Sequence, residues 1–306
     1  MKPRLLFIPL HWDATPRPHE DYYNALCELY NVKYFDNDLY SRILFGNYND
    51  FDYVFIQSGA ISPESEIMLK SATSAKVIQW TGDARSEVME NVTQYKGIAD
   101  LTLLAVGIGQ KEMYESALGC PVDYLQQGVF DSFFIEPQEL TEGKTVFIGN
   151  NYDQFEGARE RAKLCRDLAY DTTFETIGNG WNWRHNNTRS IPYHESAKIY
   201  NESYISISHA CFNDVEGYYS NRTIDIMAAG GCCLMRYVPN AEKFFKHEEN
   251  VMFYQTNEEA VSIIKFLKQN PDVRNEIAWS GHNLAKKYHT FKYRAKELKE
   301  LIQKHL

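Results

Sequence analysis

Short apolar, β-branched runs alternate with helix-length amphipathic stretches along nearly the whole chain, and that alternation narrows the fold more than any other feature. Candidate strands lie at residues 4–10, 32–35, 53–57, 76–81, 101–106 and 122–126. Helical stretches fall between them, at 19–29, 64–71, 86–95 and 110–118. Such a succession predicts a parallel sheet covered on both faces, with ligand contacts at the carboxyl ends of the strands. From 128 to 144 the rhythm lapses into a polar segment containing Pro137, which reads as an interdomain linker. A second succession follows, with strands at 145–149, 173–178, 204–210, 232–236 and 251–254 and helices at 158–169, 194–201 and 258–268. Residues 273–305 read as helical, with a break near His289. A chain of 306 residues suits two domains of ~100–200 residues each. The expected boundaries are 1–140, 141–285 and a terminal helix at 286–306.

Composition removes several classes. Cys27, Cys120, Cys165, Cys211, Cys232 and Cys233 form no C-x-x-C pair, and they read as reduced thiols rather than a zinc site or a disulfide framework. The opening MKPRLLFIPLHWD is interrupted too soon by charge and proline for a signal peptide, and reads as a first strand. No apolar run approaches the ~20 residues of a membrane span, so a soluble, cytoplasmic protein is expected. A net charge of −9 argues against broad nucleic-acid binding, though it leaves room for one local basic cleft. Neither a dinucleotide fingerprint nor a P-loop occurs in a suitable context.

The stretch EGYYSNRTIDIMAAGG, residues 216–231, carries the most chemistry. It lies between the strand YISISHA and the strand CCLMR. Ser220 is placed to cap a short helix whose apolar face is Ile224, Met227 and Ala228. A strand, a loop and a helix start present backbone N–H groups and a positive helix end to an anion. Arg222 adds a planar fork of donors suited to phosphate, and Asp225, one turn on, is an acceptor for two sugar hydroxyls. That pairing suggests a nucleotide diphosphate with a ribose. A surface helix with a local Arg–Asp pair accounts for the same spacing.

This stretch, with the CCLMRYVPNAEKFF that follows, resembles the sugar-nucleotide motif of GT-B glycosyltransferases. The nearer likeness is to the CgeB-like (spore-maturation-protein-like) group, in which a Ser/Asn-Arg pair precedes the helix and the chain ends in a segment like WSGHNLAKKYHTFKYRAKEL. The resemblance implies an α/β GT-B fold: two Rossmann-like parallel-sheet domains facing a central cleft, the first for the acceptor and the second for the nucleotide sugar, with a C-terminal helical tail. It implies that Arg222, beside Ser220 and Asn221, holds the diphosphate and that Asp225 holds the ribose. Glu216 would sit by the sugar or nucleotide, although eight residues separate it from Asp225 where seven are usual. The loop after the strand VFIG, with Gly149 and Asn150, would line the donor cleft; Gly178 and Trp181 would pack the nucleobase; and His209 would reach the sugar.

For the first domain, Asp83 in the turn after KVIQWT is the first choice for a base that deprotonates an acceptor hydroxyl, if configuration inverts. His11 and Asp13, after the first strand, are the other candidates. No cofactor is expected and no metal, because the family manages the departing diphosphate with helix dipoles and cations and no D-x-D occurs in a suitable setting. A UDP-linked sugar is the expected donor. The acceptor stays open among a glycan, a small metabolite and a hydroxymethylated phage DNA base. A nucleotide-sugar 2-epimerase of the same architecture and a non-catalytic nucleotide-sugar-binding protein are the alternative classes.

Overall fold

The computed structural model describes residues 1–14, 19–44, 50–82, 87–105, 107–152, 154–182, 186–187 and 191–306. Two units divide the chain, Met1–Gly128 with Phe291–Leu306, and Val129–Thr290.

The first unit runs β1 (Arg4–Ile8), α1 (Glu20–Leu29), β2 (Asn31–Tyr34), α2 (Asn37–Leu44), β3 (Tyr53–Gln57), α3 (Pro63–Ala72), β4 (Lys76–Thr81), α4 (Glu90–Thr93), β5 (Leu101–Leu104), α5 (Lys111–Leu118) and β6 (Val122–Tyr124). Its strands form one parallel sheet in the order β2-β1-β3-β4-β5-β6. Consecutive residues Leu5, Leu6, Phe7 and Ile8 are all buried, as are Val54, Phe55 and Ile56. Burial on both faces is why these strands read as continuous apolar runs rather than alternating ones. Helix starts follow local chemistry: Pro63 opens α3, and the Ser62 hydroxyl accepts from the Ser65 N–H.

The second unit runs β7 (Thr145–Ile148), α6 (Glu156–Leu168), β8 (Phe174–Ile177), β9 (Asn186–Asn187), α7 (Glu195–Glu202), β10 (Ile205–Ser208), α8 (Asn221–Ala228), β11 (Cys233–Arg236), β12 (Met252–Tyr254), α9 (Asn257–Gln269) and α10 (Pro271–Tyr288). Its parallel sheet has the order β12-β11-β10-β7-β8-β9, the last a two-residue edge strand. The polar stretch that reads as a linker lies along this unit: Ile135 N–H donates to Ala228 O, Asn201 Nδ2 to Glu136 O and Arg274 Nη1 to Gln138 O. Helix α8 is anchored by Ile224, Met227 and Ala228, none of them exposed to solvent. Burying side chains the size of Ile and Met contributes roughly 1.5–3 kcal/mol apiece, which fixes the residues of the opposite end of the helix. Helix α10 packs along α8, and His282 Nδ1 lies 2.8 Å from Ala228 O.

The helical stretch at the end of the chain does break at His289, and α11 (Phe291–His305) belongs to the first unit. Phe291 stacks on Tyr22 with ring centroids 5.0 Å apart, and a Cβ on Gly128 would lie 2.7 Å from the Phe291 ring. Lys304 and His305 both reach Asp123, at 2.7 and 2.8 Å. Two parallel-sheet α/β units and a helical tail are what the alternation predicts. Helix α2 and strand β9 are elements it does not reveal. Among the described residues no helix is long and apolar enough to cross a membrane.

Candidate functional site

In the second sheet β7 and β10 are neighbours, with Ile205 opposite Thr145 and Ser206 opposite Val146. The chain leaves β7 towards β8 on one side and leaves β10 towards β11 on the other. Their carboxyl ends therefore flank a topological switch point, the place where open α/β sheets bind ligands. Two helices begin above it, α6 after β7 and α8 after β10.

Two guanidinium groups converge there. Arg222, the second residue of α8, donates from Nε to Ile148 O at 2.8 Å and from Nη1 to His209 O at 3.2 Å. Arg161, from α6, donates to the same His209 carbonyl at 3.2 Å and to Asn150 O at 2.9 Å. Both lie over the Phe147 ring, 4.7 and 5.1 Å from its centroid. Among the described residues neither forms an ion pair with a carboxylate. Burial, and then the charge of Arg222, lower the Arg161 pKa, although a guanidinium stays charged at any working pH. Two cations held by neutral partners, carbonyls and the Cys211 sulfur among them, leave the switch point with surplus positive charge.

The glycines make this approach feasible. Gly149 has φ 155°, and a Cβ there would lie 2.7 Å from Arg222 Nη2. Gly178, φ 140°, backs it so closely that its Cβ would fall 2.3 Å from Gly149 O. The loops after β7 and β8 are joined by Gly149 N–H to Ile177 O, Asn151 N–H to Asn179 O, and Asn179 N–H to the Asn150 side chain. Trp181, expected to offer a stacking face, is 2 % exposed; its indole N–H donates to Gly149 O at 2.8 Å, and its ring stands edge-on to Phe147. In this structure it braces the glycine loop from within the core.

Asp225 is 3 % exposed and accepts a 2.7 Å hydrogen bond from the Tyr193 hydroxyl. Burial raises its pKa from 3.8 to about 7, against the opposing pull of Tyr193 and Arg222. His209 is 1 % exposed, with Nδ1 2.8 Å from the Tyr254 hydroxyl and Nε2 3.1 Å from Asn213 Nδ2. Burial lowers its pKa to about 4, Glu160 opposing, so the ring is neutral at physiological pH while its backbone carbonyl receives both arginines. Ser220 stands at the N-cap of α8, but its hydroxyl makes no capping bond and lies 3.5 Å from the Ser208 hydroxyl. Asn221 opens the helix. Glu216 is held aside: Asn240 Nδ2 and Lys243 Nζ bind its carboxylate at 2.7 and 3.1 Å, and with Lys243 first these lower its pKa.

In the first unit His11 and Asp13 are exposed in the turn after β1, His11 with φ 54°. Asp83 lies outside the described residues. The structure thus brings Gly149, Asn150, Gly178, His209, Ser220, Arg222 and Asp225 to the carboxyl end of one sheet, with Trp181 beneath. Arg161 and Tyr193 are the residues sequence reasoning missed. Arg161 had a signal: it shares the buried stripe of α6 with Gly157, Ala158, Leu164, Cys165 and Leu168. An arginine on an apolar stripe is seldom buried without a role. Tyr193 had none.

Residues 159–300 match the family described as glycosyl transferase-like, a span that takes in Arg161, Tyr193, His209, Arg222 and Asp225. That span is a little under half of the chain, and it supports an enzyme that transfers sugars. The fold of the chain is GT-B. Sucrose-phosphate synthase from Thermosynechococcus elongatus superposes on this chain with a TM-score of 0.67 at 12% identity, covering 99% of each chain. HepE from Anabaena, solved in complex with UDP-glucose, gives 0.65 at 11% identity and covers 99% of this chain and 100% of that one. A glycosyltransferase from Rickettsia africae gives 0.63 at 11%, covering 99% and 98%. None of the curated proteins matches the chain in sequence.

Proposed function

We propose that this chain is a glycosyltransferase of the CgeB-like group and moves a hexose or pentose from a UDP-linked donor to an acceptor hydroxyl. The observation that carries the reading is Arg222 bridging the ends of β7 and β10 directly over Gly149, with Arg161 beside it and no carboxylate pairing either among the described residues. A diphosphate is the dianionic group such a cradle suits, and α8 contributes its positive end. Arg222 then neutralises charge that develops on the diphosphate as the glycosidic bond breaks, a preorganised effect that costs no reorganisation at the moment of reaction. Asp225, one turn along the same helix, takes the ribose hydroxyls. HepE, similar in fold, is described with UDP and glucose as well as with UDP-glucose, which supports a UDP-linked donor. Asp83, His11 and Asp13 remain our candidates for the base that deprotonates the acceptor.

The test is incubation with a panel of nucleotide sugars without acceptor. Release of UDP from one of them is the expected result. An isomerised donor would identify an epimerase instead, and tight binding without turnover a binding protein. Arg222→Ala should lose both UDP affinity and turnover; a variant that retains both removes Arg222 from the site.

A further inference from the structure

The expected ribose carboxylate already has a hydroxyl on it. Tyr193 sits just before α7, half exposed, with its ring against Phe130 and Phe133 at centroid distances of 5.9 and 4.8 Å. Its hydroxyl nonetheless turns inward and donates to Asp225 Oδ2 at 2.7 Å. A buried carboxyl without a donor is costly, so some O–H or N–H must fill that position in the empty protein. The phenol supplies the group a ribose would bring: a neutral hydroxyl donating to one carboxylate oxygen. Asp225 is otherwise enclosed, and a diol reaches it only if the phenol moves.

We propose that Tyr193 is a stand-in for the ribose, occupying its subsite on Asp225 until a nucleotide with free 2′- and 3′-hydroxyls displaces it; this rests on the assignment of Asp225 to the ribose. Displacement exchanges one hydroxyl–carboxylate bond for another. A nucleotide with the diol replaces the bond it breaks, whereas one without it would leave Asp225 buried and unpartnered. Sites that must fill a vacated polar partner reject analogues lacking the matching group. The phenol thus lowers affinity for any nucleotide that must displace it, and only a diol restores the bond to Asp225. The site of turning is local: the Tyr193 carbonyl stays bonded to the Ser196 N–H and hydroxyl at the start of α7, so the side chain can swing while the backbone holds.

The experiment titrates the parent, Tyr193→Phe and Tyr193→Leu with UDP and with 2′,3′-dideoxy-UDP by calorimetry, each variant first checked for parental circular dichroism. The parent should prefer UDP. Both variants should bind UDP more tightly than the parent, by about tenfold for the loss of one competing hydrogen bond. Neither should lose affinity for the dideoxy analogue. The leucine variant reports on the same competition if removing only the hydroxyl perturbs the ring's seat. If the parent prefers UDP but both variants bind it no more tightly, Tyr193 is not a stand-in and the ribose assignment survives. If the parent binds the two nucleotides equally, Asp225 does not hold the ribose and both ideas fall.

Discussion

Replacing Asp225 with Asn should stabilise the protein at neutral pH and leave it nearly unchanged in acid. Burial raises this carboxyl from 3.8 to about 7, with the Tyr193 hydroxyl and Arg222 pulling the other way. The folded chain therefore keeps the proton up to about pH 7, whereas the unfolded chain gives it up near 3.8. Between those values the folded state binds more protons, so its stability falls as pH rises, by about 1.36 kcal/mol per unit and roughly 4 kcal/mol in all. The contribution is whole below the unfolded pKa and gone above the folded one. His209 runs the opposite way. Burial lowers its pKa from 6.5 to about 4, so folding gains stability as pH rises through that window, by roughly 3 kcal/mol. The two windows overlap, and in the parent they largely cancel. Asp225→Asn removes one slope and exposes the other. Urea unfolding followed by circular dichroism, from about pH 4 to 8, measures both proteins. The variant should gain on the parent by roughly 4 kcal/mol across that range, while its own stability climbs with pH as His209 dictates. A variant-minus-parent difference that stays flat would refute the buried, proton-holding Asp225 on which the site is built.

Two further substitutions probe the cradle. Gly149→Ala puts a Cβ 2.7 Å from Arg222 Nη2 and 3.1 Å from the Phe147 ring at φ 155°. The strained backbone should cost about 1–3 kcal/mol in thermal stability, and because the flexible guanidinium yields before the ring does, UDP affinity should fall about tenfold; unchanged affinity in a folded variant would detach Arg222 from the diphosphate. Arg161→Met keeps the unbranched stem out to the level of Nε but strips the donors from Asn150 O and leaves His209 O to Arg222 alone. It should lose about 1–3 kcal/mol by differential scanning calorimetry and weaken UDP binding, whereas a gain in stability would mean that relief of repulsion between the two cations outweighs the lost hydrogen bonds.

How far the chain could be read in advance depended on whether the signal was local. The strands LLFI and VFI are apolar throughout, and ISIS alternates isoleucine with serine, all of them short runs between helix-length stretches, so the parallel sheets were legible. The helix at Arg222 and Asp225 was legible for the same reason: Ser220 marks its start, and Ile224, Met227 and Ala228 mark its buried face. Side-chain partners across the fold were not. Glu216 belongs by sequence to the loop before α8, yet it is drawn to Asn240 and Lys243, about two dozen positions on, and nothing in its own neighbourhood says so. Trp181 reads as a loop aromatic available for stacking, but Phe147 and the Gly149 carbonyl hold it in the core. Tyr193 meets Asp225 only because α7 and β10 return the chain to it before α8 begins.

The arrangement at the switch point is costly for the empty protein, and the cost has a direction. Burial and the charge of Arg222 lower Arg161's tendency to hold a proton while the two share one carbonyl and one phenylalanine face, and Asp225 is buried deeply enough to keep its proton into the neutral range. A fold selected for stability alone would place a carboxylate between the guanidiniums, or apolar groups in the place of all three. A dianion bound over Gly149 instead satisfies both cations together, and its attraction to them is strongest where water is excluded. Ligand binding and stability are then the same free energy seen from two sides: whatever anion relieves the arginine pair must also raise the unfolding temperature, by an amount that grows with ligand concentration. UDP should therefore protect the parent and fail to protect Arg222→Ala, while uridine, which lacks the phosphates, should protect neither to a comparable degree.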